Sequence, residues 1–177
     1  MKILKKILVV LVAIVALLAI VAIFIPKGLK TDSEVTINRP VAEVFDYVSN
    51  IKNQDNFSKW NMADPNKKQT FEGTDGTMGF KNAWNGNDDV GAGEQEITGI
   101  TPDQRVDIEV RFKRPMEDTM QGYFITEAID ANTTKVKWGM VGDDSAWPIN
   151  IMNPMIENML AGDMQESLNN LKKNLEK

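Results

Sequence analysis

Histidine and cysteine are both absent from the 177 residues. Their absence excludes the commonest general base, the Ser-His-Asp triad, thiolate nucleophiles, disulfides and thiolate metal sites. Acid–base work would therefore fall to carboxylates, Lys or Tyr. Adjacent acidic pairs stand at Asp88/Asp89, Glu117/Asp118 and Asp143/Asp144, in turn-rich stretches where such pairs are ordinarily solvated. Asn85, Asn87 and Asp89, with Glu96 further on, have the ligand spacing of a calcium loop. Val90 stands where that loop requires Gly and the flanks read as strands, so a solvated hairpin is expected there, with no metal and no cofactor. Arg105, Arg111 and Arg114 could orient an anionic group. If the domain encloses a pocket, its polar candidates are Glu94, Glu96, Arg111 and Tyr123. Its apolar candidates are Trp84, Phe124, Trp138 and the methionines Met152, Met155, Met159 and Met164, whose flexible thioethers suit an adaptable wall. Trp147 with Pro148 could border the pocket mouth or simply pack.

These residues must be positioned by a fold whose outline the patterning gives. Glu34–Asn38 alternates as a short strand. Pro40 suits the first position of a helix in which Val41, Val44, Phe45 and Val48 share one face. Ile51–Trp60 reads as a second short helix. Strands are expected at Gln69–Glu72, Thr77–Trp84, Gly93–Thr101, Arg105–Lys113, Met120–Ile129 and Lys135–Val141. The clearest is Arg105–Lys113, where Val106, Ile108, Val110 and Phe112 face one way and charged residues the other, as in an antiparallel sheet covered on one side. From Met152 to Leu175, apolar residues recur at threes and fours, predicting one long amphipathic helix. The expected class is α+β, with a long C-terminal helix across a curved antiparallel sheet.

Before the domain stands an unbroken apolar run, Ile7 to Ile25, without charge, Gly or Pro. At about 1.5 Å per residue it spans about 28 Å, close to the hydrocarbon thickness of a bilayer. A secretory signal would carry an apolar region of about 7–15 residues and a small-x-small cleavage site. The run is longer and no such site stands near its end, so a retained transmembrane helix is expected, with residues 1–30 as anchor and linker and 31–177 as the domain. Lys2, Lys5 and Lys6 before the span, against Lys27 and Lys30 after it, favour a cytoplasmic N-terminus and a domain outside. Residues 31–177 hold 15 basic and 25 acidic side chains, a balance that repels nucleic-acid phosphates and argues against nucleic acid as partner.

The element order resembles the START-like helix-grip superfamily, in its polyketide cyclase/dehydrase and lipid-transport (SRPBCC) branch. The residues that carry the resemblance are Asn38–Val48 (NRPVAEVFDYV), Trp60, Gly76–Gly79 (GTMG), the Trp84–Gly93 hairpin, Ile97–Pro102 (ITGITP) and Leu168–Glu176 (LNNLKKNLE). The resemblance implies a shape, a long helix gripped by a curved sheet around an apolar tunnel, and it carries over no catalytic residue set. The expected function is a membrane-anchored module that binds a hydrophobic small molecule or lipid in that cavity. The alternatives are a cyclase-like enzyme working through a buried carboxylate or Tyr, and an envelope interaction domain whose cavity is vestigial. The sequence assigns no oligomeric state.

Overall fold

The computed structural model describes residues 2–177. Helix α1 (Lys2–Ile23) carries the apolar run and stands almost wholly outside the folded domain, with only Ala22 buried. It is long and apolar enough to cross a membrane. The chain then enters the sheet at once. Strand β1 (Gly28–Ile37) begins at Gly28 rather than Glu34, because Leu29, Thr31 and Ser33 continue the inward alternation toward the helix end.

Helix α2 (Val41–Ser49) forms where expected, with Pro40 as the residue before it and not its first position. The second predicted helix divides into a 3₁₀ turn, Ile51–Asn56, and the single turn α3 (Lys59–Met62). The division has two local causes. Asp75 reaches from a later loop to accept from the amides of Ile51 and Lys52 at 2.8 and 3.1 Å, and Ser58 starts a fresh helix by accepting from the Asn61 amide. Strands β2 (Lys68–Glu72), β3 (Lys81–Asn85), β4 (Ala92–Thr101), β5 (Arg105–Arg114), β6 (Asp118–Asp130) and β7 (Thr133–Asp144) follow. The strand expected from Thr77 starts only at Lys81, since Gly76 and Gly79 adopt φ of 74° and 85° and turn the chain there. A second 3₁₀ turn, Ile149–Met152, leads into α4 (Asn153–Leu175).

The seven strands form one antiparallel sheet in the order β1-β7-β6-β5-β4-β3-β2. Successive hairpins build six neighbours in chain order, and β1 closes on β7 with Val35 opposite Val136. Helix α4 runs along β1 in the same direction. Thr31 Oγ1 donates to the Glu157 carbonyl at 3.2 Å and Ser33 Oγ to the Ala161 carbonyl at 2.9 Å. Two strand residues rise about 6.6 Å and four helical residues about 6 Å, so the two periods stay in step. Arg39 Nε and the Asn38 amide then hold the far end, donating to the Leu175 carbonyl and to Glu176. This is the helix-grip arrangement: an α+β fold in which Met164, Leu168 and Leu171 are pressed, fully buried, into the inner face of the sheet.

On the outer face, Tyr123 lies across Gly139, its register partner on β7. A Cβ at Gly139 would overlap the Tyr123 ring, and the Arg105 guanidinium stacks 4.6 Å from that ring's centre. Gly139→Ala must push the tyrosine off the sheet, so we expect a loss of about 1–3 kcal/mol by urea unfolding, as for other overpacked sites. An unchanged midpoint would show the ring to be freely mobile.

Candidate functional site

A cavity of about 260 Å³ lies between the inner face of the sheet and the helices, at the end of the domain away from the buried part of α4. Its floor is built by the sheet's alternation. Asn82 and Trp84 on β3 share a phase, opposite Gln95 and Gly93 on β4. Ile108, Val110 and Phe112 on β5, Met120 and Gly122 on β6, and Trp138 and Met140 on β7 complete it. Trp60, Asn61 and Leu160 cover it from α3 and α4, while Asp89 and Val90 come from the β3–β4 loop, Arg114 from the end of β5 and Pro115 from the β5–β6 loop. Arg114 fastens those loops together, donating to Asn85 Oδ1 at 3.0 Å and to the Gly86 carbonyl at 2.7 Å.

The tryptophans offer carbon surface to this space because their N–H groups are occupied elsewhere. Trp84 Nε1 donates to the Val90 carbonyl at 3.3 Å and Trp60 Nε1 to Asp163 at 3.2 Å. Trp60 meets Trp138 edge-on, with ring centres 5.5 Å apart. Trp84 has room only because Gly93 lies beneath it, where a Cβ would come within 2.6 Å of the indole.

Opposite the aromatic wall runs a polar strip of Gln54, Ser58, Asn61, Lys67, Asn82 and Gln95. Gln95 Nε2 donates to Gln54 Oε1 at 3.2 Å, fully buried. Asp55 organises the rest from behind. Its carboxylate receives Lys67 Nζ at 2.9 Å, Asn61 Nδ2 at 3.0 Å and Gln69 Nε2 at 2.8 Å. Burial would push the Asp55 carboxyl up, but these three donors outweigh it and hold the group below its ordinary value. An ionised carboxylate only accepts, so Gln69 turns its NH₂ to Asp55 and its Oε1 to Asn82, which donates through Nδ2 at 3.2 Å. Asn82 Oδ1 is thereby fixed as an acceptor, and it is buried with no hydrogen-bond partner. A buried, unpaired acceptor costs about 1–3 kcal/mol, and Asn82, which carries it, is one of the residues lining the cavity.

Of the residues singled out from the sequence, Trp84, Trp138, Asp89 and Arg114 line the cavity. Phe124 does not reach it: the ring is buried in the core, stacked on Trp138 at 4.7 Å between ring centres. Glu94, Glu96, Arg111 and Tyr123 are on the outer face of the sheet, one residue out of phase with Gln95 and Val110. There Arg111 binds Glu94 at 2.8 Å, Glu96 at 2.6 Å and also Glu109. The Arg111 hydrogen bond holds the Glu96 carboxyl below its usual range, and Glu96 and Glu94 in turn raise Arg111. The cluster is a solvated cross-strand network. Met152, at the end of the second 3₁₀ turn, and Met155 and Met159, on α4, also lie away from the cavity and are exposed. At about 100° per residue they sit a step around the helix from Ile156 and Leu160, which face the sheet, and one helix face cannot turn both rows inward. Met164 belongs to the core and Trp147 lies beside α1. In the hairpin Asn85–Asp89, Asn87 Oδ1 accepts from the Asp89 and Val90 amides as a turn cap.

The polar strip is absent from the sequence-based candidates, although its phase is present in the sequence. Gln95 alternates with Gly93 and Ile97, and Asn82 with Phe80 and Trp84, two rows that are otherwise apolar or glycine.

Residues 29–176 match the family described as polyketide cyclase / dehydrase and lipid transport. No curated protein matches the sequence. Among solved structures, an uncharacterized protein from Bacillus thuringiensis is similar over 84% of this chain and 99% of its own, at 12% identity and a TM-score of 0.61. XoxI from Bacillus cereus is similar over 83% of this chain and 95% of its own, at 13% identity and a TM-score of 0.61. The di-domain ARO/CYC BexL from the BE-7585A biosynthetic pathway is similar over 83% of this chain and 46% of its own, at 17% identity and a TM-score of 0.61. At these identities the likeness is one of fold.

Proposed function

Because the chain belongs to the polyketide cyclase / dehydrase and lipid transport family, we propose that it is a membrane-anchored binding module for one amphipathic small molecule. The ligand has an apolar, ring-bearing body and a hydrogen-bond donor such as a hydroxyl. The body packs on Trp84, Trp60 and Trp138, and the donor is received by Asn82 Oδ1. The observation that carries this reading is the relay Asp55–Gln69–Asn82, which leaves a residue of the cavity lining with an unpaired acceptor and not a donor. The helix α1 holds the module in the bilayer with its N-terminus cytoplasmic and the domain outside, where apolar ligands partition and their effective concentration is high. A cyclase would need an acid or base displaced toward neutrality, whereas the carboxylate behind this cavity is displaced downward. Binding is the reading this favours.

The test compares 1-naphthol with 1-methylnaphthalene, alike in size and differing in the donor. The purified chain should bind the naphthol more tightly by about tenfold, the worth of one good hydrogen bond to a buried acceptor. Asn82→Leu should remove that preference while leaving the methyl compound bound. Equal affinities in the unmodified protein would sink the donor assignment, and no binding of either compound would sink the cavity reading. The preference should persist from neutral pH down through the ordinary carboxylate range. It should fade only as acid protonates Asp55 below that range, because a neutral acid can donate and frees Gln69 to turn.

A further inference from the structure

The domain does not hang from α1 on a loose linker. Asn150 Nδ2 donates to the carbonyls of Ala22 and Ile25 at 2.7 and 2.8 Å, and Asn153 Nδ2 to those of Pro26 and Lys27 at 3.1 and 2.7 Å. Both asparagines are buried. They satisfy the Ala22 carbonyl in the last turn of α1 and those of Ile25, Pro26 and Lys27 just beyond it, and they bind the start of α4 and the turn before it to the end of the apolar run. Ser145 adds its amide to the Lys27 carbonyl at 2.9 Å.

This attachment sets the depth of the segment. Trp147 Nε1 donates to the Ala19 carbonyl at 3.2 Å. Ala19 lies one turn before the last residue of α1, Ile23, so the indole reaches roughly 6 Å back along the membrane helix. Four large apolar residues follow it in one row. Ile149, Met152, Met155 and Met159 recur at intervals of three and four, and they are 63%, 43%, 61% and 60% exposed. Between Asp144 and Asp163 the only charged residue is Glu157, and its carboxylate is turned to the Lys30 amide at 3.0 Å. A row of this kind beside water would be costly, whereas a lipid interface takes up Trp and an apolar helix face to a depth of about 5–10 Å.

We propose that Trp147 to Met155 is a docking surface for the lipid bilayer interface, immersed beside α1, which holds the domain against the membrane in one orientation. The segment contains no Lys or Arg, so its binding is apolar and requires no anionic lipid. This inference rests on the membrane-anchored reading above.

The chain lacks cysteine, so single cysteines can carry nitroxide labels without background. The full-length chain would be placed in discs of phosphatidylcholine alone, labelled in turn as Ile149→Cys, Met155→Cys, Ile14→Cys and Ile129→Cys. Collisions would then be measured with oxygen, which concentrates in lipid, and with a water-soluble nickel chelate. Ile14 is in the middle of α1, and Ile129 is exposed near the β6–β7 turn. The expected result is a ratio of oxygen to nickel collisions at 149 and 155 shifted away from that of position 129 and toward that of position 14. Lipid-like values at 14 with water-like values at 149 and 155 overturn the docking surface and leave the anchor standing. Water-like values at 14 overturn both. Labels at 149 and 155 shielded from both reagents mean that protein covers the row, a second copy or another chain, and that result also overturns the proposal.

Discussion

Gly122→Phe should abolish uptake of 1-naphthol, weakening it by at least about tenfold, while the protein stays folded and melts no lower than the unmodified chain. Gly122 lies on the cavity floor between Ile108 and Met140. A Cβ there would meet nothing closer than the Ile108 carbonyl at 3.6 Å, an ordinary contact. The new side chain therefore has room to stand upright from the strand into the space assigned to the ligand. Replacing glycine within a strand removes its extra unfolded-state entropy, and burial of the ring against Trp138 and Met140 offsets the lost volume. Native mass spectrometry, isothermal titration and a thermal melt on the same sample test this together. Undiminished uptake by a folded Gly122→Phe protein would place the ligand outside this cavity.

Phe57→Ala should cost about 3–5 kcal/mol of stability, the usual range for deleting a fully buried ring. Phe57 is inaccessible to solvent and joins the segment after the first 3₁₀ turn to three other aromatic rings. Its centre lies 6.2 Å from Tyr47, 6.3 Å from Phe124 and 6.1 Å from Trp138. Its loss leaves a void under Trp138, so near-ultraviolet circular dichroism should flatten before the backbone signal falls. A fair control is Phe71→Ala. That ring also stacks on a phenylalanine, Phe80, at 6.2 Å, with Lys52 Nζ 4.7 Å above it. It is 42% exposed and should cost about 1 kcal/mol or less. Equal losses for the two variants in urea unfolding would contradict this account of the core.

These two residues illustrate what could be read in the sequence and what could not. Periodicity identified the long elements, since each has one face against the core: Val41–Val48, the alternating Arg105–Lys113 and the C-terminal helix all stand near their expected places. The breaks between elements were less visible because distant groups create them. Asp75 caps a turn more than twenty residues before it, and no local pattern announces that. The site was the least legible part. The sheet's alternation sends the polar candidates Glu94, Glu96, Arg111 and Tyr123 to the outer face, whereas Gln95 and Asn82 point inward. The methionines misled for a related reason. Apolar residues at 155 and 156, and again at 159 and 160, make a stripe wider than one sheet can cover, and only the tertiary structure decides which row is left outside.

The pairing of β1 with β7 has a further consequence during synthesis. Residues 28–37 emerge first after α1, and their sheet partners stand at 134–144, with the covering helix later still. Until the last part of the chain has left the ribosome, β1 has neither the neighbour that completes the sheet nor the helix that Thr31 and Ser33 grip. The apolar helix α1 is thus complete well before the domain can close. Pairings of such long range are also slow to form, in the range of milliseconds to seconds. The newly made domain must wait, open along one edge, for its last elements.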